Sequence, residues 1–155
     1  MLDPAPATAK DVEALRDLIN LAFRAERPFV EGDRVTLADV HGYLAKGEFL
    51  MLGDAGHMAG CVYLEANGGR GYIGLLSVDP SRQHAGLGTK LMAAAEQRCK
   101  SQGCNSVDLR FIHHRTELHR FYSRLGYVES GTAPFPHTAR MKMPFHFIQM
   151  SKSLE

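Results

Sequence analysis

Apolar positions recur along the chain with two different periods, and the changes of period mark out the elements. Val12, Leu15, Leu18, Ile19, Ala22 and Phe23 form one stripe at helical spacing. Thr8, with Asp11 three residues on, opens that helix as a weaker form of the capping box, and Arg27-Pro28 ends it. Thr36 with Asp39 opens a second helix, which carries Leu37, Val40, Tyr43 and Leu44. Strand-like runs follow over 48–52, 57–66 and 71–78, separated by the turns Gly53-Asp54-Ala55-Gly56 and Asn67-Gly68-Gly69. Connections this short leave no room for crossovers, so the three runs predict an antiparallel meander.

Past Asp79-Pro80 the period changes again. Leu87, Leu91, Ala95 and Cys99, with Met92 beside them, predict a helix over 86–102 that stops at Gly103. Residues 106–112 read as a strand, 116–125 as a helix ending at Gly126, and 127–130 and 140–150 as closing strands. The strand, helix, strand order over 71–112 implies a crossover and one parallel pair inside a mixed sheet.

Composition narrows the class. A length of 155 residues fits one domain, and no repeat or linker divides it, so 1–155 reads as a single domain. A chain 45% hydrophobic and 23% charged is globular rather than disordered. Eighteen basic residues against 17 acidic give a net charge of +1, so neither nucleic acid nor an anionic membrane is expected as a partner. No apolar run is long enough to span a bilayer, and Met1-Leu2-Asp3-Pro4-Ala5-Pro6 lacks the basic start and apolar stretch of a secretion signal; the expected compartment is the cytoplasm. Cys61, Cys99 and Cys104 are odd in number and scattered, which predicts reduced core thiols and no metal site.

The segment richest in chemistry is Val78-Asp79-Pro80-Ser81-Arg82-Gln83-His84-Ala85-Gly86-Leu87-Gly88-Thr89-Lys90. A strand ends, a short loop follows, and two glycines open a long amphipathic helix. The first turn of a helix has unpaired N–H groups and partial positive charge, and glycines let a bulky anion reach that backbone. The combination suits a diphosphate. Thr89 adds a hydroxyl donor, and Arg82 or Lys90 a charge. The P-loop spacing and the dinucleotide fingerprint are both absent.

Gln83-His84-Ala85-Gly86-Leu87-Gly88 resembles the Arg/Gln-x-x-Gly-x-Gly/Ala signature of the GNAT family of N-acetyltransferases. Leu118-His119-Arg120-Phe121-Tyr122-Ser123-Arg124-Leu125-Gly126-Tyr127 looks like that family's second block, in which a tyrosine is followed two residues later by Leu-Gly-Phe/Tyr. The order of elements follows the family over nearly the whole chain. The resemblance implies an α+β fold: a mixed, mostly antiparallel sheet of about seven strands, flanked by four helices and splayed between strands four and five. It implies acetyl-CoA as co-substrate, no metal, and a primary amine of a small molecule or peptide as acceptor. Relatives are often dimers, so a homodimer is compatible with it.

Residue by residue, the resemblance assigns the pantetheine arm to the backbone of Leu76, Ser77 and Val78, with the Val78 N–H polarising the carbonyl. It assigns the diphosphate to the N–H groups of Gln83, His84, Ala85, Gly86, Leu87, Gly88 and Thr89. Tyr122 stands where the family places a tyrosine beside the coenzyme sulfur, and a phenol is a reasonable proton donor to a thiolate. Two positions depart from the pattern. Arg115 stands where many relatives carry Asn, and Ile73, Gly74, Leu75 and Leu76 offer no strand carboxylate as base. The base is left open among Glu65, His113, His114 and a water chain. The missing carboxylate also admits a non-catalytic acetyl-CoA sensor as the alternative, against which the retained Tyr122 argues. The acceptor side is formed by 27–34, where Arg27 and Arg34 suit a carboxylate and Glu31 and Asp33 an amine, and by Pro134-Phe135-Pro136-His137. Arg110, an arginine amid strand residues, is a further acceptor-side candidate.

Overall fold

Both capping boxes form, and both helices start where those polar pairs put them. In the first, Thr8 caps a short 3-10 turn, Ala9–Asp11, that leads into helix α1, Val12–Ala22. In the second, Thr36 Oγ1 accepts from the Asp39 N–H (3.1 Å) while Asp39 accepts from the Thr36 N–H (2.9 Å), which starts α2, Leu37–Lys46. The computed structural model describes residues 3–54 and 56–155; Met1 and Leu2, the start of the N-terminal reading, and Ala55, within the predicted turn 53–56, lie outside them.

The strands are β1 (Ala5–Pro6), β2 (Glu48–Asp54), β3 (His57–Asn67), β4 (Arg70–Val78), β5 (Ser106–Ile112), β6 (Val128–Pro134) and β7 (His146–Ser153). Helix α3, Leu87–Ser101, lies between β4 and β5, and α4, Thr116–Arg124, between β5 and β6. All seven strands form one sheet in the order β1-β2-β3-β4-β5-β7-β6, antiparallel except for the β4–β5 pair. The predicted meander is β2-β3-β4, and the seven-stranded mixed sheet with four helices is the expected fold.

Strand β3 shows why the sheet needs helices on both faces. It is buried continuously from Ala59 to Leu64. Cys61 and Tyr63 pack with Leu15, Ile19 and Phe49 in the α1 layer, while Val62 and Leu64 pack with Leu91 and Ala95 in the α3 layer. Cys61, Cys99 and Cys104 are all buried and free, and burial pushes the Cys61 and Cys99 thiols up to about 12. No described helix is long and apolar enough to cross a membrane.

Strands β4 and β5 pair only over Arg70–Tyr72 and Ser106–Asp108, and beyond that they part. A polar clamp closes this short seam: Asp108 accepts from Arg70 Nε (2.9 Å) and from Ser151 Oγ on β7 (2.6 Å). Hydrogen bonds from Arg70 hold the Asp108 carboxyl below its ordinary range, with partial burial opposing and Ser151 adding to the shift. A depressed carboxylate stabilises the fold above the unfolded value of about 3.9, and that contribution is lost as pH falls through the lower folded value. Asp108→Asn is therefore expected to flatten the acid side of the stability curve, measured by chemical denaturation between about pH 5 and pH 2.

The closing strands differ from expectation. β6 runs on to Pro134 as an edge strand. β7 begins at His146 rather than residue 140, because residues 138–144 have another task. Thr138–Arg140 is a 3-10 turn, Met141 pairs with Val30, and Pro144 lacks the N–H a ladder needs.

Candidate active site

The parted ends of β4 and β5 open a cleft of about 740 Å³. Its walls come from β4, β5, the N-terminus of α3, the inner face of α4 and the end of α1. A volume of that order accommodates a drug-sized ligand.

On one wall, Gln83, His84, Gly86, Leu87, Gly88 and Thr89 line the cleft. His84 and Gly86 have φ of 69° and 80°, so the chain turns twice through the left-handed region before α3 begins. From Gln83 to Thr89 no backbone N–H donates to any partner among the described residues; Lys90 is the first to do so, to Gly86 O at 3.1 Å. Gly86 caps α3 with no side-chain bond, and a Cβ there would meet open space. Amides left without partners at the start of a helix, with open space before them, could hold an anion. Ala85 is part of the turn but does not line the cleft.

The opposite edge is β4. Tyr63 pairs with Gly74 and Cys61 with Ser77, so Val62 faces two residues, Leu75 and Leu76, across a β-bulge. Leu75 takes φ 53°, costly for a side chain with a Cβ. The bulge switches the strand's parity: Ile73 packs in the α3 layer, whereas Leu75 packs in the α1 layer. Leu76 and Val78 consequently face the cleft, while Ser77 is buried with its hydroxyl donating to Leu75 O at 2.9 Å. The backbone of β4 from Ile73 to Val78 has no strand partner on its β5 side.

Helix α4 carries Tyr122 into the same cleft. Its ring is packed near Phe111, Phe121 and Tyr127, with centroids 5.7, 5.2 and 5.9 Å away. The buried hydroxyls of Tyr63 and Tyr127 bond Glu65 (2.7 Å) and Glu96 (2.8 Å). That of Tyr122 bonds nothing among the described residues. No enclosed side-chain oxygen or nitrogen is left unpaired there, so this hydroxyl opens onto the cleft. Burial raises its pKa and the charge of Arg115 pulls it back, so the phenol is protonated at neutral pH.

Arg115 lines the cleft with its guanidinium already engaged, Nη1 by Glu26 (2.9 Å) and Nε by Glu117 (3.1 Å). Glu26 is the cleft carboxylate that the sequence reading missed. It is largely shielded, with 13% of its side chain exposed, and burial raises its pKa against the opposing charges of Arg115 and Arg34. A signal existed: Ala22, Phe23 and Glu26 continue the helical stripe of α1, and all three line the cleft.

Glu65, His113 and His114 do not line the cleft. Glu65 accepts from Tyr63, and His113 stacks on His146 (centroids 4.0 Å apart) and lies tilted against His114 (3.9 Å). The two acceptor-side segments do meet. Arg140 donates to Glu31 O and Asp33 O at 2.7–2.9 Å, and the Lys142 N–H to Phe29 O at 2.8 Å, which pins 29–33 against 140–142. Arg27, Arg34, Arg110, Phe135, Pro136 and His137 all line the cleft; Glu31 and Asp33 do not.

An open sheet, a turn of amides without partners among the described residues and a phenol thus face one cleft. The chain belongs to the Acetyltransferase (GNAT) family, whose sequence model matches residues 12–127. It is 32% identical over 129 residues to a mycothiol acetyltransferase of Clavibacter sepedonicus, a match covering 79% of this chain and 41% of that protein. The chain thus spans about two fifths of that curated relative. Among solved structures, smu.2055 from Streptococcus mutans shares the fold at TM-score 0.83 and 16% identity, covering 99% of this chain and 100% of that one. The ribosomal-protein-S18-alanine N-acetyltransferase from Escherichia coli does so at TM-score 0.80 and 16% identity, covering 100% and 95%.

Proposed function

We propose that this chain, acting as one domain over residues 1–155, transfers the acetyl group of acetyl-CoA to a primary amine of a small molecule or peptide by direct attack. One observation carries the reading: the turn 83–89, whose amides have no partner among the described residues, and the Tyr122 hydroxyl, which has none among them either, flank a single cleft. Family membership supports the donor and the reaction class. Three buried free thiols suit a reducing compartment, the cytoplasm.

The donor supplies a thioester carbonyl; the rest falls to the chain. The N–H groups from Gln83 to Thr89 hold the diphosphate at the positive end of α3. The open edge of β4 at Leu76, Ser77 and Val78 aligns the pantetheine arm, with the Val78 N–H assigned to the carbonyl oxygen, where negative charge gathers. Tyr122 donates its proton to the departing thiolate, and the Arg115 cation favours the charge that results. In place of the asparagine of many relatives, Arg115 also holds Glu26. Glu26 serves as base, taking the proton of the acceptor ammonium.

The test is acceptor-dependent thiol release, followed with a thiol reagent across a library of primary amines. The chain's own cysteines are buried and stay silent in that assay. A sensor would bind acetyl-CoA and release no thiol with any acceptor. Glu26 adds a pH signature. Its carboxyl must be ionised to act, so kcat/KM rises with pH through a limb above the ordinary glutamate value of about 4.3. Glu26→Gln is expected to lower kcat/KM about tenfold at neutral pH and to move the limb up to the acceptor amine's own pKa. An unmoved limb removes Glu26 from the role.

A further inference from the structure

The ion pairing around the cleft is lopsided. Its carboxylates are all engaged: Glu26 and Glu117 by Arg115, and Asp39 by the Thr36 N–H of its own capping box. Of its arginines, Arg115 is spent on those two carboxylates, Arg140 on the carbonyls of Glu31 and Asp33, and Arg27 lies 3.9 Å from Asp33. Arg34 and Arg110 line the cleft, and neither is in an ion pair among the described residues. Arg124 also has no ion pair among the described residues, but it belongs to the last turn of α4, whose Phe121 abuts Gly88 on the donor side.

Arg34 and Arg110 come from different elements and converge on one neighbour. Arg34 sits at the end of the loop before α2, with its guanidinium carbon 5.5 Å from the Phe23 ring centroid. Arg110 sits on β5, 5.0 Å from the centroid of Phe147 on β7. Tyr72 on β4 lines the same cleft. Burial pushes its phenol up, while the charges of Arg110 and Arg34 and a hydrogen bond from Arg110 act in the other direction. Each guanidinium lies over an aromatic ring, and a guanidinium fork is the group best shaped to receive a carboxylate side-on. Both side chains are exposed, so solvent holds their charges in the open cleft and an arriving carboxylate can reach them.

We infer that the acceptor is a small amine that also carries a carboxylate, that this carboxylate is bound by Arg34, Arg110 and the Tyr72 hydroxyl, and that the subsite selects amino acids over neutral amines. The inference rests on the proposed acetyl transfer for the word acceptor, but the subsite itself is a matter of binding. It narrows the broad class of primary amines to zwitterions, with one end held by the arginine pair and the other free to reach Glu26.

The experiment uses matched probes: linear ω-amino acids with two to six carbons, each beside its own carboxamide, where only the negative charge is lost. Calorimetry on the full chain saturated with coenzyme A reads binding, and thiol release reads transfer. At least one amino acid is expected to bind at least about tenfold more tightly than its carboxamide, as lost charged hydrogen bonds imply. In Arg34→Gln/Arg110→Gln that ratio is expected to fall to about one, and in Arg34→Lys/Arg110→Lys to be partly kept, because charge remains without the fork. Equal binding of acid and amide, no binding of any acid, or a preference that survives the double glutamine variant overturns the inference. The ratio within each variant is its own control for folding. Acid-selective binding without thiol release leaves the subsite standing and removes the proposed reaction; thiol release with equal use of acid and amide does the reverse.

Discussion

Tyr122→Phe is expected to lower kcat at least about 100-fold while leaving the KM for acetyl-CoA within about twofold. The ring contacts with Phe111, Phe121 and Tyr127 survive the change, because phenylalanine keeps the ring and loses only the oxygen. That oxygen has no hydrogen bond to lose among the described residues, so the melting temperature should hold. What disappears is a proton donor facing the cleft. Burial keeps this phenol protonated, which suits donation and excludes its use as a base. A thiolate leaves more easily when a proton or hydrogen bond meets it, and that term enters only as charge develops, so kcat moves and donor binding does not. Steady-state kinetics with an acceptor from the amine library decide the matter: turnover equal to that of the unmodified chain ends the assignment.

Gly88→Asp is expected to weaken acetyl-CoA binding about 100-fold or more, roughly 3 kcal/mol, without unfolding the chain. Position 88 lies in the first turn of α3, among amides that have no partner among the described residues. An aspartate there suits the helix dipole, so the helix itself gains. A Cβ at this position would sit 3.3 Å from the Phe121 ring, which must shift slightly, and 3.8 Å from Leu76. The cost falls on binding, because the new carboxylate competes with the diphosphate for the same N–H groups and repels it. Calorimetry with acetyl-CoA, set beside the melting temperature of the unliganded variant, separates the two effects. Unchanged affinity would place the diphosphate elsewhere.

The elements that periodicity alone could specify were legible. The stripes of α1 and α3, the three meander strands and the glycine-opened turn all follow from local spacing, and each lies within a residue or two of its expected place. Tyr122 was legible through its block, and only the resemblance gave it a role, since a tyrosine on an inner helix face is ordinarily packing; what the structure adds is that the residue lines the cleft. The bulge at Leu75 was not legible. A leucine in a hydrophobic strand run gives no sign that it will adopt a positive φ, because the cause is the pairing of β3 with β4. Glu26 was hidden for a related reason. The stripe of α1 runs on through it, but its shielding and its pairing with Arg115 at the start of α4 depend on tertiary contacts that spacing does not carry. Glu65 and the His113-His114 pair drew attention as titratable groups near strand ends. Spacing could not show that one serves Tyr63 and the others stack at the edge of β7. The late start of β7 has a cause outside the strand, the fastening of Arg140 to the loop before α2.

The short β4–β5 seam bears on survival as well as catalysis. With backbone pairing confined to Arg70–Tyr72, two half-sheets are joined mainly by side chains and by whatever lies along the parted edges. On the proposed reading, a seated donor bonds to β4 where no strand does, and a ligand that binds only the folded form lowers the unfolded population by a factor of one plus the free ligand concentration over Kd. A cell short of the acyl donor would then have both a slower enzyme and one more readily degraded, so that protein abundance tracks metabolite supply without a dedicated regulator.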